Sequence, residues 1–149
     1  MKSILREVKD MKMTNETFID ILSSFPSAPP ECGGIIGGQD GVISRFCFDN
    51  KGSEKQAVYE PNADHLNRII EEWSQSGISF YGIIHSHMKN EPDLSRGDIE
   101  YIQLVMADLD VGEKLYFPIV MPGYIIPFVA TKTENTVNIQ KEELDVLFR

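Results

Sequence analysis

The sequence predicts an α/β fold, a mixed β-sheet flanked by helices. Three observations carry that expectation. Segments with apolar residues at helical spacing alternate with short runs rich in β-branched and aromatic residues. Several strand candidates follow one another through short turns, which makes part of the sheet antiparallel. One run, ISFYGIIHSH, is apolar over most of its length, the pattern of an interior strand. At 149 residues the chain is long enough to bury a core without staples. Residues 1–149 are therefore read as one domain, its core at about 12–131.

The elements follow in order. From Thr14 to Phe25, apolar residues at 18, 21, 22 and 25 keep the helical period, with Thr14 or Asn15 as N-cap. The helix must stop at PSAPP, where prolines forbid it. ECGGIIGG and GVISRFCFDN are strands joined by GGQDG, and KQAVYE is another. After Pro61-Asn62, the stripe Leu66, Ile69, Ile70 and Trp73 marks a helix ending near Gly77. ISFYGIIHSH is the interior strand. Ser95 then opens a helix with Ile99, Ile102, Val105, Met106 and Leu109 on its buried side. KLYFPIVM, GYIIPFVAT and TVNIQ are strands, and a short final helix carries Leu144, Leu147 and Phe148.

Composition narrows the functional classes. A net charge of −9 offers no basic face to the phosphates of a nucleic acid. The longest apolar stretch, YFPIVMPGYIIPFVA, is broken by prolines and a glycine, so it reads as paired strands and not as a membrane span. MKSILREVKD has no apolar core long enough for a signal peptide, which makes the cytoplasm the expected location. The two cysteines, Cys32 and Cys47, form neither a C-x-x-C pair nor a disulfide framework, and each reads as a small buried thiol.

Two of the three histidines stand one residue apart in HSHMKNEPDLSRGD, residues 85–98. On a strand, side chains alternate faces, so His85 and His87 point the same way while Ser86 points back. Asp98 falls in the first turn of the next helix, from which it can return to the strand end. His, His and Asp are three ligands of the type that hold catalytic zinc and leave a fourth position for water. Ser95-x-x-Asp98 is equally a capping-box variant, and the two roles are compatible, since the cap aims Asp98. A zinc hydrolase also needs a proton carrier. Glu31, between PSAPP and CGGIIGG, is the best candidate, although an exposed acid at a strand start is common.

HSHMKNEPDLSRGD resembles the JAMM (MPN-plus) metalloprotease signature, H-[ST]-H-x7-S-x-x-D, position for position. APPECGGIIGG is similar to the segment that carries that family's glutamate. The resemblance runs from about Lys12 to Thr131. It implies the JAMM/MPN architecture, of cytidine deaminase-like type, and a compact prokaryotic-type member. It further implies one zinc per chain held by His85, His87 and Asp98, with Glu31 as proton carrier and Ser95 as donor to the oxyanion. The implied reaction is cleavage of an isopeptide or peptide bond after the C-terminal glycine of a ubiquitin-like or sulfur-carrier protein. Met88 and Leu94 depart from the proline that many members have at each position. Both lie outside the ligand set and bear on loop shape.

Other readings carry less. Cys32 has no designated base, which argues against a cysteine hydrolase. GGIIGG lacks the Lys-Ser/Thr of a phosphate loop. His65 reads as a solvated helix residue. The branch of the family linked to DNA repair usually has H-N-H-P-S-G, which this chain does not. A non-catalytic MPN scaffold is the alternative from another class; such scaffolds lose metal ligands, and this chain keeps them all.

Overall fold

The protein is described here by a computed structural model covering residues 10–25, 31–50, 53–55, 58–87 and 91–148. Its first element, β1 (Asp10–Thr14), lies outside the expected series. Only Met11 and Met13 of its five residues are apolar, too few to signal a strand. Both are fully buried, and the strand exists because it has a parallel neighbour on each side. Thr14 ends it and caps α1 (Asn15–Ser24), its side chain accepting from Thr17 N at 3.2 Å. The expected PSAPP turn, 26–30, lies outside the described residues.

β2 (Gly33–Gln39) and β3 (Val42–Phe48) form the expected hairpin. Asp40 and Gly41 turn it with φ of 53° and 79°, the left-handed pair a tight hairpin needs. The predicted KQAVYE strand is a small ribbon, β4 (Ser53–Lys55) with β5 (Val58–Glu60). Asn62 caps α2 (Ala63–Gln75) by accepting from His65 N at 3.0 Å. β6 (Ser79–Ser86) is the interior strand that carries His85. After a loop comes α3 (Arg96–Met106). Its buried side holds Ile102 and Met106, whereas Ile99, expected there, is 37% exposed.

Proline rewrites the next stretch. KLYFPIVM becomes β7 (Lys114–Tyr116) and β8 (Ile119–Met121), split at Pro118, and GYIIPFVAT becomes β9 (Tyr124–Ile126) and β10 (Phe128–Lys132), split at Pro127. A proline has no N–H for a ladder, so pairing changes partner there. β11 (Val137–Lys141) follows as expected. The expected final helix is instead a strand, β12 (Glu143–Leu147), parallel to β1 from Asp10↔Glu143 to Thr14↔Leu147. The spacing of Leu144, Leu147 and Phe148 imitates a helical stripe. Pairing with the open side of β1 outweighs that local signal.

Ten of these strands form one mixed sheet in the order β11-β10-β7-β6-β2-β3-β1-β12, with β8 leaving the path to pair with the end of β6, and β9 with β8. Neighbouring residues separate its faces. Ile36 and Ile84 join the core with Met11, Met13, Ile21 and Phe25 under α1. Ile35 and Ile83 join Leu66, Ile102, Met106 and Phe117 under α2 and α3. Each such burial contributes about 1.5–3 kcal/mol. β6 passes so close to β7 that a Cβ on Gly82 would overlap the Tyr116 backbone, which explains a glycine inside an interior strand. Neither Cys32 nor Cys47 is in a disulfide, and each is half-buried and not fully so as expected. Among the described residues no helix is long and apolar enough to cross a membrane.

Candidate metal centre

The alternation of β6 places the histidines. His85 pairs with Gly33 of β2, and His87 lies just past the strand end on the same face. Ser86 faces the other way and is buried. At the next ladder step Ser86 N donates to Cys32 O at 2.8 Å. Cys32 N donates to the Ser86 Oγ, at 2.9 Å. A side chain thus closes the ladder where the backbone diverges. Continuing the same register sets Glu31 opposite His87, and its carboxyl feels the charges of His87, His85 and Asp98.

Asp98 arrives from α3. Ser95 Oγ accepts from Asp98 N at 3.0 Å while the Asp98 carboxylate accepts from Ser95 N at 2.9 Å, a reciprocal capping box. The predicted cap and the predicted aim of Asp98 are therefore one structure. His87 Nε2 is 2.8 Å from Asp98 Oδ2, His85 Nε2 is 3.2 Å from Oδ1, and the two Nε2 atoms are 3.0 Å apart. The ligand atoms of all three residues fall within 4.8 Å of one another.

The donor set fits a cation. His87 Nδ1 donates to the Glu91 carbonyl at 2.8 Å, because a carbonyl can only accept. A neutral His87 therefore turns a bare Nε2 lone pair toward a carboxylate and a second imidazole. That arrangement is repulsive unless a proton or a metal ion stands at the focus. The backbone bond that fixes the ring is the usual support of a metal-binding histidine. Nitrogen and carboxylate oxygen suit zinc and several neighbouring divalent ions.

The electrostatics agree. Burial opposes ionisation of Asp98, yet hydrogen bonds from His85, His87 and Ser95 hold its carboxyl well below the usual range. Burial disfavours a charged His87, but Asp98 and the Glu91 carbonyl outweigh it and raise its pKa. Burial pushes the Glu31 carboxyl up, against the pull of His87 and His85.

No protein-family model and no curated protein matches the chain. Solved structures do. Protein DSY2949 from Desulfitobacterium hafniense superposes with a TM-score of 0.68 at 17% identity, covering 93% of each chain. AF2198, a JAB1/MPN domain protein from Archaeoglobus fulgidus, superposes with a TM-score of 0.51 at 18% identity, covering 93% of this chain and 98% of that one. The fold is MPN-like. Within this MPN-like fold all five residues singled out in the sequence, Glu31, His85, His87, Ser95 and Asp98, gather at one end of β6. Sequence reasoning missed two supports. Ser86 was expected only to point back, and its bond to Cys32 needed the register of β2. The Glu91 carbonyl leaves no sequence signal, since any residue has one.

Two further residues shape the surroundings. Asp49 is 4% exposed and accepts from Tyr59 Oη at 2.7 Å and from Asn62 N at 2.9 Å. Tyr59 thereby lies against Gly33, where a Cβ would overlap its ring. Gly33 is the cross-strand partner of His85, so the ring stands beside the metal centre.

Proposed function

We propose that this chain is a zinc-dependent peptidase or isopeptidase that cuts after the C-terminal glycine of a ubiquitin-like or sulfur-carrier protein in the cytoplasm. The convergence of His85, His87 and Asp98, with Glu31 opposite His87, carries this reading. A divalent ion held by those three residues would supply Lewis acidity and a nucleophile drawn from water at neutral pH. The chain's own residues do the rest. Glu31, its carboxyl raised by burial, is suited to take a proton from water and return it to the departing amine. Ser95 spends a lone pair on the Asp98 amide and keeps its hydroxyl proton for the developing oxyanion.

The tail would arrive extended, as glycine-rich termini do. An added strand directly beside β6, a common way to hold an extended tail, has no free edge to use near the histidines. Near the histidines Ser86 N donates to Cys32 on one side, while His85 N and His87 N donate to Pro118 O and Val120 O on the other. On this reading the tail would cross the end of β6 instead.

Elemental analysis of purified protein tests the reading first. About one zinc per chain, lost in His87→Ala and Asp98→Ala, is expected, followed by cleavage of a Gly-Gly-tailed fusion by wild type alone. Folded wild type that takes up no divalent metal would leave a non-catalytic scaffold as the better reading.

A further inference from the structure

Beside His85 and Asp98 a cavity of about 280 Å³ opens between Tyr59 and Pro61, which lead into α2, and the first turns of α3. Tyr59, Tyr101 and Phe117 wall it, and Ile83 and Ile102 close its floor. Its volume lies just under the ~300–1,000 Å³ of sites that enclose a whole drug-sized ligand. It suits one large side chain. Its lining offers no carboxylate except that of Asp98, and its other polar groups are the His85 ring and the hydroxyls of Tyr59 and Tyr101. Asp98 is already engaged by both histidines and by Ser95 N, so a lysine head group would find no free acid there.

The wall is built and held. Tyr59 cannot swing out without breaking its bond to the buried Asp49, and it cannot settle further because its ring already rests on Gly33. A preformed apolar pocket next to a reaction centre acts on whichever residue flanks the bond being cut. On the acyl side the proposed substrate presents glycine, which has no side chain to fill it.

We propose that this pocket takes one aromatic or branched aliphatic side chain, carried by the residue directly after the scissile bond. The natural substrate would then be a linear extension of a glycine tail, in preference to a lysine isopeptide. This inference rests on the hydrolase reading.

The test separates the two. Binding of phenylalaninamide, leucinamide and glycinamide to zinc-loaded protein is measured by NMR titration, alongside cleavage of peptides with Phe, Leu, Gly or Asp after Gly-Gly. The pocket predicts at least ~10-fold tighter binding of the phenylalanine and leucine amides than of glycinamide, with shifts at Tyr59, Tyr101 and Phe117. Gly97 lines the pocket, and a Cβ there would lie in ordinary contact with Ser95 Oγ, at 3.8 Å. Gly97→Leu should therefore fill the pocket, keep the zinc and abolish the difference. Equal binding of all three amides, or a preference that survives in Gly97→Leu, overturns the proposal. Discrimination among amides with no peptide cleaved supports the pocket and defeats the hydrolase. Equal cleavage of all four peptides supports the hydrolase and defeats the pocket.

Discussion

The Ser86 Oγ accepts a hydrogen bond from the Cys32 amide at 2.9 Å, so the residue between the two histidines holds the strand that begins beside Glu31. The two histidines and Glu31, the proposed proton carrier, lie on or beside different strands, and this bond ties those strands together. Ser86→Ala leaves a part-buried amide without that acceptor, at a cost of about 1–3 kcal/mol. Hydrogen exchange at Cys32 should quicken by roughly tenfold or more while zinc content stays at the wild-type level. Ser86→Thr should restore protection. Unchanged exchange in Ser86→Ala would show that the bond holds nothing in place.

The proposed function gives Ser95 a second duty beside its cap. As N-cap of α3 its loss costs about 1 kcal/mol, a drop of about 3 °C in melting temperature for a chain of this size. As oxyanion donor its loss costs roughly 10²–10³ in kcat. Ser95→Ala should show both, and Ser95→Thr neither. A small melting shift with full activity would remove Ser95 from the chemistry.

Without metal, the centre should prefer mildly acidic solution. His87 has a raised pKa, so its stabilisation is complete below an unfolded value of about 6.5 and fades as pH climbs through the folded one. Asp98 has a lowered pKa, so its stabilisation is present above an unfolded value of about 3.9 and is lost as pH falls through the folded one. The two overlap between about pH 4 and 6.5. With saturating zinc the trend should reverse up to about pH 8, because the ligands must be deprotonated to bind. Melting curves at pH 5.5 and 8, with chelator and with zinc, check both slopes. A chelated protein that is more stable at pH 8 would count against the assigned pairing.

Tyr59→Phe removes one donor from buried Asp49 and should destabilise the fold by about 1.5–3 kcal/mol, the range for hydrogen bonds to charged groups. Denaturant titration reads this directly. Gly33→Ala should be at least as costly, since the new methyl displaces the same ring. A neutral effect in both variants would mean that the ring is not held between these two residues.

The centre was legible because its rules are local. Period-two alternation put His85 and His87 on one face, and a serine three residues before an acid marked the cap that aims Asp98. The interior strand and the three principal helices were legible for the same reason. Long-range pairing was not. Nothing in DMKMT announces β1, and nothing near Leu144 says that a strand over a hundred residues away will draw it out of a helical pattern. Asp49 is equally silent, because burial and a tyrosine partner are facts of the folded chain. Pro118 and Pro127 were visible, but their effect, one strand changing neighbours at each, depends on where β6 and β8 meet.

The pairing of β1 with β12 also dictates an order of events. A chain emerging from the ribosome presents Asp10–Thr14 early, and the neighbour that covers its outer side, Glu143–Leu147, comes only after every other described strand. Until then the nascent sheet carries an open flank able to zip onto another chain. Closing it late also means closing a very long loop, which slows the step. β12 then takes over from β1 as the edge of the sheet, so truncations that remove it, while sparing every residue of the metal centre, should leave β1 without its outer neighbour and still destabilise the fold.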